Sequence, residues 1–225
     1  EAYARFSVAL VFAAFKSMFG TFEIRRGAIA EYLDQHGDLT GAIEDVWTVC
    51  GFDHPTDPEA VAAEAMDALD PDLWEACASL LESSGKARDT EHAARLRVTL
   101  ASSDFNDALS ALFTDKEDPR KHLQTTTTFK AREDLREAVL EETDRLSFVR
   151  QQVRAAGVAH DTAGALRLAS LYIAAHTNEK ASRGALDFTD LIDHAKVLLT
   201  EKVDAAWVLY KLDGGIDHIL LDEAQ

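Results

Sequence analysis

Apolar residues recur at spacings of three and four through most of the chain, the pattern of helices that bury one face. Phe12, Phe15 and Phe19 keep that spacing and predict a buried helix over residues 2–18, broken by Gly20 and Thr21. A second helix follows over residues 23–35, with Gly37 as its C-terminal stop. A third spans residues 40–50, with Thr40 as its cap. Residues 51–58 read as a loop. Thr56 or Asp57 caps a helix starting near Pro58, and Asp70-Pro71 starts another that runs to about Leu81. Proline costs nothing in a first turn, where its missing N–H would be unpaired anyway. A turn at Ser83-Ser84-Gly85 precedes two shorter amphipathic pieces, residues 91–100 and 105–113.

Residues 115–128 are the least regular, ending in the threonine run 125–128. A long helix is expected from about Arg132 to Ala155, through Leu135, Val139, Leu146, Val149 and Val153. Asp161 or Thr162 caps a further helix towards Ala181. Gly184 punctuates the chain, residues 186–200 read as helix, and no fixed-period repeat is present. The character then changes. After the turn Asp213-Gly214-Gly215, Ile216-Asp217-His218-Ile219-Leu220-Leu221 is short, apolar and branched, and reads as a buried strand. A lone strand needs neighbours for its backbone groups, so its sheet partners are expected outside this chain.

The 225 residues leave room for one or two domains with a real core. A net charge of −17 argues against a whole-surface nucleic-acid binder but leaves a local basic patch open. Cys50 and Cys77 stand far apart with no CxxC partner, which speaks against a metal site or disulfide framework and fits a reducing, cytoplasmic interior. The apolar run 6–19 is bounded by Arg5 and Lys16 to about ten residues, half of what a membrane span needs, so no membrane association is expected. Glu1 opens directly into a helical pattern and the last residues stop within a strand-and-motif unit. Both ends read as cut, and an internal fragment is expected.

The expected strand ends in Asp222-Glu223. Open α/β sheets bind ligands at the carboxyl ends of their strands. There an aspartate can hold the hydrated Mg²⁺ that bridges ATP phosphates, and the adjacent glutamate can activate the attacking water. A magnesium site of this kind needs only one or two protein carboxylates. Two acids after an apolar strand also cap helices and turns, so the tetrapeptide alone is weak.

Context strengthens it. Leu186-Asp187-Phe188-Thr189-Asp190-Leu191 and Leu221-Asp222-Glu223-Ala224-Gln225 stand about thirty residues apart. The pair resembles the UvrD/Rep-type superfamily 1 helicases, where a Leu-Asp-Phe-x-Asp-Leu helix precedes a strand carrying Asp-Glu-x-Gln. Residues 205–219, with Ala205-Ala206-Trp207 and Leu212-Asp213-Gly214-Gly215, are similar to the AddA-type helicase–nuclease subunits of bacterial AddAB recombination complexes. So is the stretch from Leu112-Phe113-Thr114 to Pro119-Arg120-Lys121. The last forty or so residues match specifically; those before about residue 110 match only as a variable helical insertion.

The resemblance implies a mainly α chain. A helical insertion subdomain over residues 1–180 would be followed by a truncated piece of a RecA-like α/β domain over residues 181–225, with one C-terminal strand. It implies an ATP-dependent DNA helicase, with nuclease activity in the full-length protein, acting in double-strand-break repair and recombination. Asp222 would be the magnesium-associated carboxylate at the nucleotide, Glu223 the catalytic base and Gln225 the sensor of the γ-phosphate region. Asp187, Phe188 and Asp190 would belong to the helix beside the motor core, where packing and capping explain them equally well. ATP and Mg²⁺ are the implied cofactors; duplex DNA near the unwinding junction and an AddB-type subunit are the implied partners.

Departures matter as much. No G-x-x-x-x-G-K-[ST] loop is present to cradle the phosphates, and there is no second motor domain. The chain alone is therefore expected neither to bind the nucleotide nor to hydrolyse ATP. The expected DNA-facing stretch is Lys116, Arg120, Lys121, His122, Lys130 and Arg132, with the four threonines between, since cations and hydroxyls both serve phosphates. Glu117, Asp118, Glu133 and Asp134 dilute its charge. The eight histidines show no paired ligand spacing and read as single surface or helix-end residues; Trp47, Trp74 and Trp207 read as core. The alternative is an all-helical protein–protein interaction module with no motor, in which Asp222-Glu223 is a chance cap.

Overall fold

A computed structural model describes residues 2–200 and 205–213. The elements are α1 (Ala2–Ala9), α2 (Phe12–Ile24), α3 (Arg26–Gln35), α4 (Leu39–Val49), α5 (Pro58–Asp67) and α6 (Pro71–Ser83). They continue with α7 (Ala87–Ser102), α8 (Phe105–Leu112), α9 (Lys121–Thr125), a 3-10 turn at Thr127–Ala131, α10 (Glu133–Arg183), α11 (Phe188–Thr200) and α12 (Ala205–Asp213). Phe113 and Pro119 form an isolated antiparallel bridge. The chain is mainly α, as expected; the strand expected at residues 216–221 lies outside the described residues.

Aspartate starts most of the middle helices. Asp38 Oδ1 accepts from the N–H groups of Thr40 (2.7 Å) and Gly41 (2.9 Å), so Asp38 rather than Thr40 caps α4. Asp57, not Thr56, caps α5 through the Glu59 N–H. Asp70 serves α6 and Asp104 serves α8 in the same way. Each carboxylate satisfies donors that a first turn leaves unpaired and sits at the positive end of the helix dipole. Gly37 (φ 83°) and Gly85 (φ 66°) follow α3 and α6 in the left-handed region that glycine adopts without strain.

Several boundaries differ from the expected ones. Extended backbone at Val11 separates α1 from α2, and Gly20 and Thr21 lie inside α2, where the Thr21 hydroxyl donates to the Ser17 carbonyl. Nor is this a buried helix: Phe22 is buried, but Phe12 is 81% exposed. A periodic apolar stripe is buried only where something opposes it, and although α1 and α3 both contact α2, Phe22 is its one buried residue among those described. The helices expected on either side of Asp161 are one 51-residue helix, α10. No proline interrupts it, and Gly157 lacks only a side chain there, a cost of about 1 kcal/mol that neighbouring packing offsets. The piece expected over residues 91–100 extends in both directions as α7.

Two apolar clusters hold the first part together. The larger joins α5, α6, α7, α8 and the first half of α10, with Trp74, Leu81, Leu96, Leu112, Phe129 and Leu146 at its centre. On α6, Trp74, Cys77, Ala78 and Leu81 follow the spacing of one helix face. The smaller seats Ile43, Val46 and Trp47 of α4 on Ala156, Ala159 and Ala163 of α10. Both clusters fall in the first of two compact units, Glu1–Ala169 and Ser170–Gln225. That division and the expected boundary at 180/181 both lie within α10. In the second unit α11 packs on α12 but buries no residue of its own. Trp47 and Trp74 are core, as expected, whereas Trp207 is 61% exposed, because the described part of the second unit supplies no layer to cover it. No helix among the described residues is long and apolar enough to cross a membrane.

Candidate functional site

Asp222, Glu223 and Gln225 lie outside the described residues, together with the strand expected to carry them. The upstream half of the paired motif is described, and there the two acids cap α11. Asp187 Oδ1 accepts from the Asp190 N–H and Asp190 Oδ2 accepts from the Asp187 N–H, each at 2.9 Å, a reciprocal capping box. Lys180 closes it from above. Its ammonium donates to Asp187 Oδ2 at 2.8 Å and to both Asp190 oxygens at 2.8 and 2.6 Å. Phe188 points outward, 86% exposed.

The irregular segment is more committed to the fold than its composition suggests. The Phe113–Pro119 bridge closes a tight loop whose tip, Glu117, has φ 67°. Arg120 turns back, its Nε donating to the Ser110 carbonyl at 3.0 Å. Arg132 forms a two-pronged pair with Asp134. Lys116, Lys121 and Lys130 are exposed. Of the proposed DNA-facing cations, then, the lysines face solvent and the two arginines already serve protein acceptors. Thr127 stays exposed, while the Thr126 and Thr128 hydroxyls also turn inward.

They turn towards Asp89, which is wholly buried on α7. Its Oδ2 accepts from the hydroxyls of Thr128 (2.5 Å) and Ser84 (2.7 Å). Its Oδ1 accepts from His122 Nε2 (2.5 Å) and the Thr126 hydroxyl (3.3 Å). Lys86 adds its ammonium at 4.0 Å from the carboxylate and donates to the Thr127 and Thr128 hydroxyls. The buried His92 ring stacks on His122, with centroids 4.9 Å apart and planes 19° from parallel. Its Nδ1 is buried with no hydrogen-bond partner. Neither histidine is therefore an isolated surface residue. A buried charge is tolerated only when it is this fully bonded, and the network anchors α9 and the 3-10 turn to α7.

The electrostatics follow from burial and bonding. Burial alone would raise the Asp89 carboxyl, but the donors from Thr128, Ser84 and His122 outweigh it and hold it down at about 2. Burial pushes His92 down to about 4, helped by His122 and Arg120 nearby. Burial likewise pushes the Cys77 thiol up to about 12. No group of three or more His, Cys, Asp or Glu side chains among the described residues could hold a metal ion. The sequence reading missed the Asp89 network. Its signal was the i, i+3 placement of Asp89 and His92 on the face of α7 that also carries Ala93 and Leu96. Comparison with known families, curated proteins and solved structures finds no match for the chain.

Proposed function

We propose that this chain is part of an ATP-dependent superfamily 1 DNA helicase of the AddA type, acting in double-strand-break repair. The helices up to about residue 180 form an insertion beside the duplex, and the segment ending at Asp222-Glu223 belongs to a RecA-like motor domain with its one strand. A single observation carries this reading: the joint occurrence of Leu186-Asp187-Phe188-Thr189-Asp190-Leu191 and Leu221-Asp222-Glu223-Ala224-Gln225 at the spacing such motors use. The capping box at Asp187 and Asp190 accounts for those two acids at a helix start in either reading, so the weight rests on the pairing of the two motifs.

In this reading Asp222 holds the magnesium of bound ATP, Glu223 activates the attacking water and Gln225 couples the γ-phosphate region to movement. The exposed Lys116, Lys121 and Lys130 meet DNA phosphates, with Arg120 and Arg132 contributing only if they exchange their present acceptors. The test uses the protein that carries this segment, loaded with Mg²⁺, ATP and its AddB-type partner. Glu223→Gln should lower DNA-stimulated hydrolysis at least about a hundredfold while leaving nucleotide binding intact. Replacing the three lysines together should flatten the salt dependence of duplex binding by about three counterions. Unwinding that survives Asp222→Asn with Glu223→Gln would sink the reading. A helical interaction module without a motor is the second reading, and the apolar trough between α5, α8 and α10 favours it.

A further inference from the structure

An open trough runs across the first unit. One half, about 460 Å³, lies between α5, the start of α8 and α10; the other, about 370 Å³, lies between α8, the 114–117 loop and α10. Phe105, Asn106 and Val153 line both halves and make them continuous. The floor is apolar: Ala62, Met66, Phe105, Leu109 and Val153 all pack against the larger core while remaining within reach of the trough. Its far end is cationic. Arg150 lies over the Phe113 ring, 4.6 Å from the centroid, and Arg154 stands one turn further along α10.

One of those arginines already holds a carboxylate, and the other a backbone carbonyl. Glu117 pairs with Arg154, and the Glu117 carbonyl accepts from both terminal nitrogens of Arg150 at 3.3 Å. The second contact is long, and Arg150 Nε is buried with no hydrogen-bond partner. A guanidinium prefers two parallel bonds to one carboxylate, so Arg150 is served below its capacity. Glu117 reaches this position with φ 67°, a left-handed conformation that disfavours any residue with a side chain. The chain's own carboxylate thus occupies Arg154 from a strained loop tip, while Arg150 meets only the backbone of the same residue.

We propose that this trough is a docking site for an amphipathic peptide segment of a partner protein, whose apolar side chains lie on Phe105, Leu109 and Val153 and whose carboxylate displaces that of Glu117 from Arg154 beside the under-bonded Arg150. Charge selects this occupant over nucleic acid. Glu59, Asp104 and Asp115 line the same trough and repel a polyanion, whereas one carboxylate at the cationic end is matched. The inference deepens the interaction-module reading, but it uses no residue assigned to nucleotide or DNA, so its test and the test at Asp222 and Glu223 can fail separately.

The test is a display selection of random twelve-residue peptides against the whole chain, followed by anisotropy titration of the selected peptides. Selected sequences should carry Asp or Glu beside Leu, Phe or Met. Affinity should fall about tenfold or more in Arg154→Ala and rise several-fold in Glu117→Gln, which removes the internal competitor. Asn106→Trp fills the junction of the two halves from an exposed helix position and should abolish binding without disturbing the core. Failure to select any peptide, selection without acidic enrichment, or affinity unchanged in both Arg154→Ala and Asn106→Trp overturns the proposal. So does a fluorescent DNA duplex that binds the chain and is lost in Arg154→Ala.

Discussion

Lowering the pH from about 7 to about 4.5 should destabilise the first unit through His92 alone by about 2.5 kcal/mol. The ring is 5% exposed, its Nδ1 has no partner, and burial depresses its pKa from 6.5 to about 4. Below 6.5 the unfolded chain takes up a proton that the folded chain refuses, so the unfolded state binds more protons and stability falls with pH. The loss begins as pH drops through 6.5 and is complete below about 4, where the folded ring also charges. A shift of 6.5 to about 4 corresponds to about 3 kcal/mol in full, a large share of a typical domain's stability. Asp89 adds its own loss only at lower pH, because its depressed carboxyl gives stability that is present above the ordinary value and lost towards about 2. The assay is urea unfolding followed by tryptophan fluorescence, which reports the buried Trp47 and Trp74 because Trp207 is already exposed. Wild type is compared with His92→Phe, which keeps a ring against His122 but cannot take a proton. The variant should lie within about 1 kcal/mol of wild type at neutral pH and show a much flatter profile below it. Parallel profiles for the two proteins would refute the reasoning.

Other outcomes follow from the same contacts. Asp89→Ala strands the Ser84 and Thr128 hydroxyls and His122 Nε2 without their acceptor and should cost about 3–5 kcal/mol in thermal unfolding, with Asp89→Asn milder. Gly41→Ala should cost about 1–3 kcal/mol, because a Cβ there would meet the His36 carbonyl oxygen at 2.2 Å; wild-type stability in that variant would contradict the close approach. Asp187→Ala should weaken the α11 cap by about 1 kcal/mol, read as several-fold faster amide exchange in its first turn, with no change in α7.

Local chemistry was legible along the chain. Proline after aspartate at 57–58 and 70–71 marked the starts of α5 and α6, and Gly37 and Gly85 marked turns, because caps and left-handed residues depend on neighbours within a few positions. The mainly helical character followed from spacing in the same way. The motif acids at 187 and 190 were legible as residues, but their bonding to Lys180 was not, since seven and ten residues separate the partners across a helix end.

Burial and long-range pairing were decided elsewhere. Phe12 and Trp207 satisfy every pattern for a core residue yet face solvent, because a stripe is buried only where another surface opposes it. The threonine run looked like a solvent-facing phosphate contact. Folding brings Thr126 and Thr128 to an aspartate 37 and 39 residues earlier, and that meeting gives both a buried charged acceptor. Sequence determined where this chain turns and coils, through forces that act over one helical turn. Tertiary structure decided which charges are buried and what the arginines hold, because desolvation and ion pairing depend on distances that no local pattern encodes.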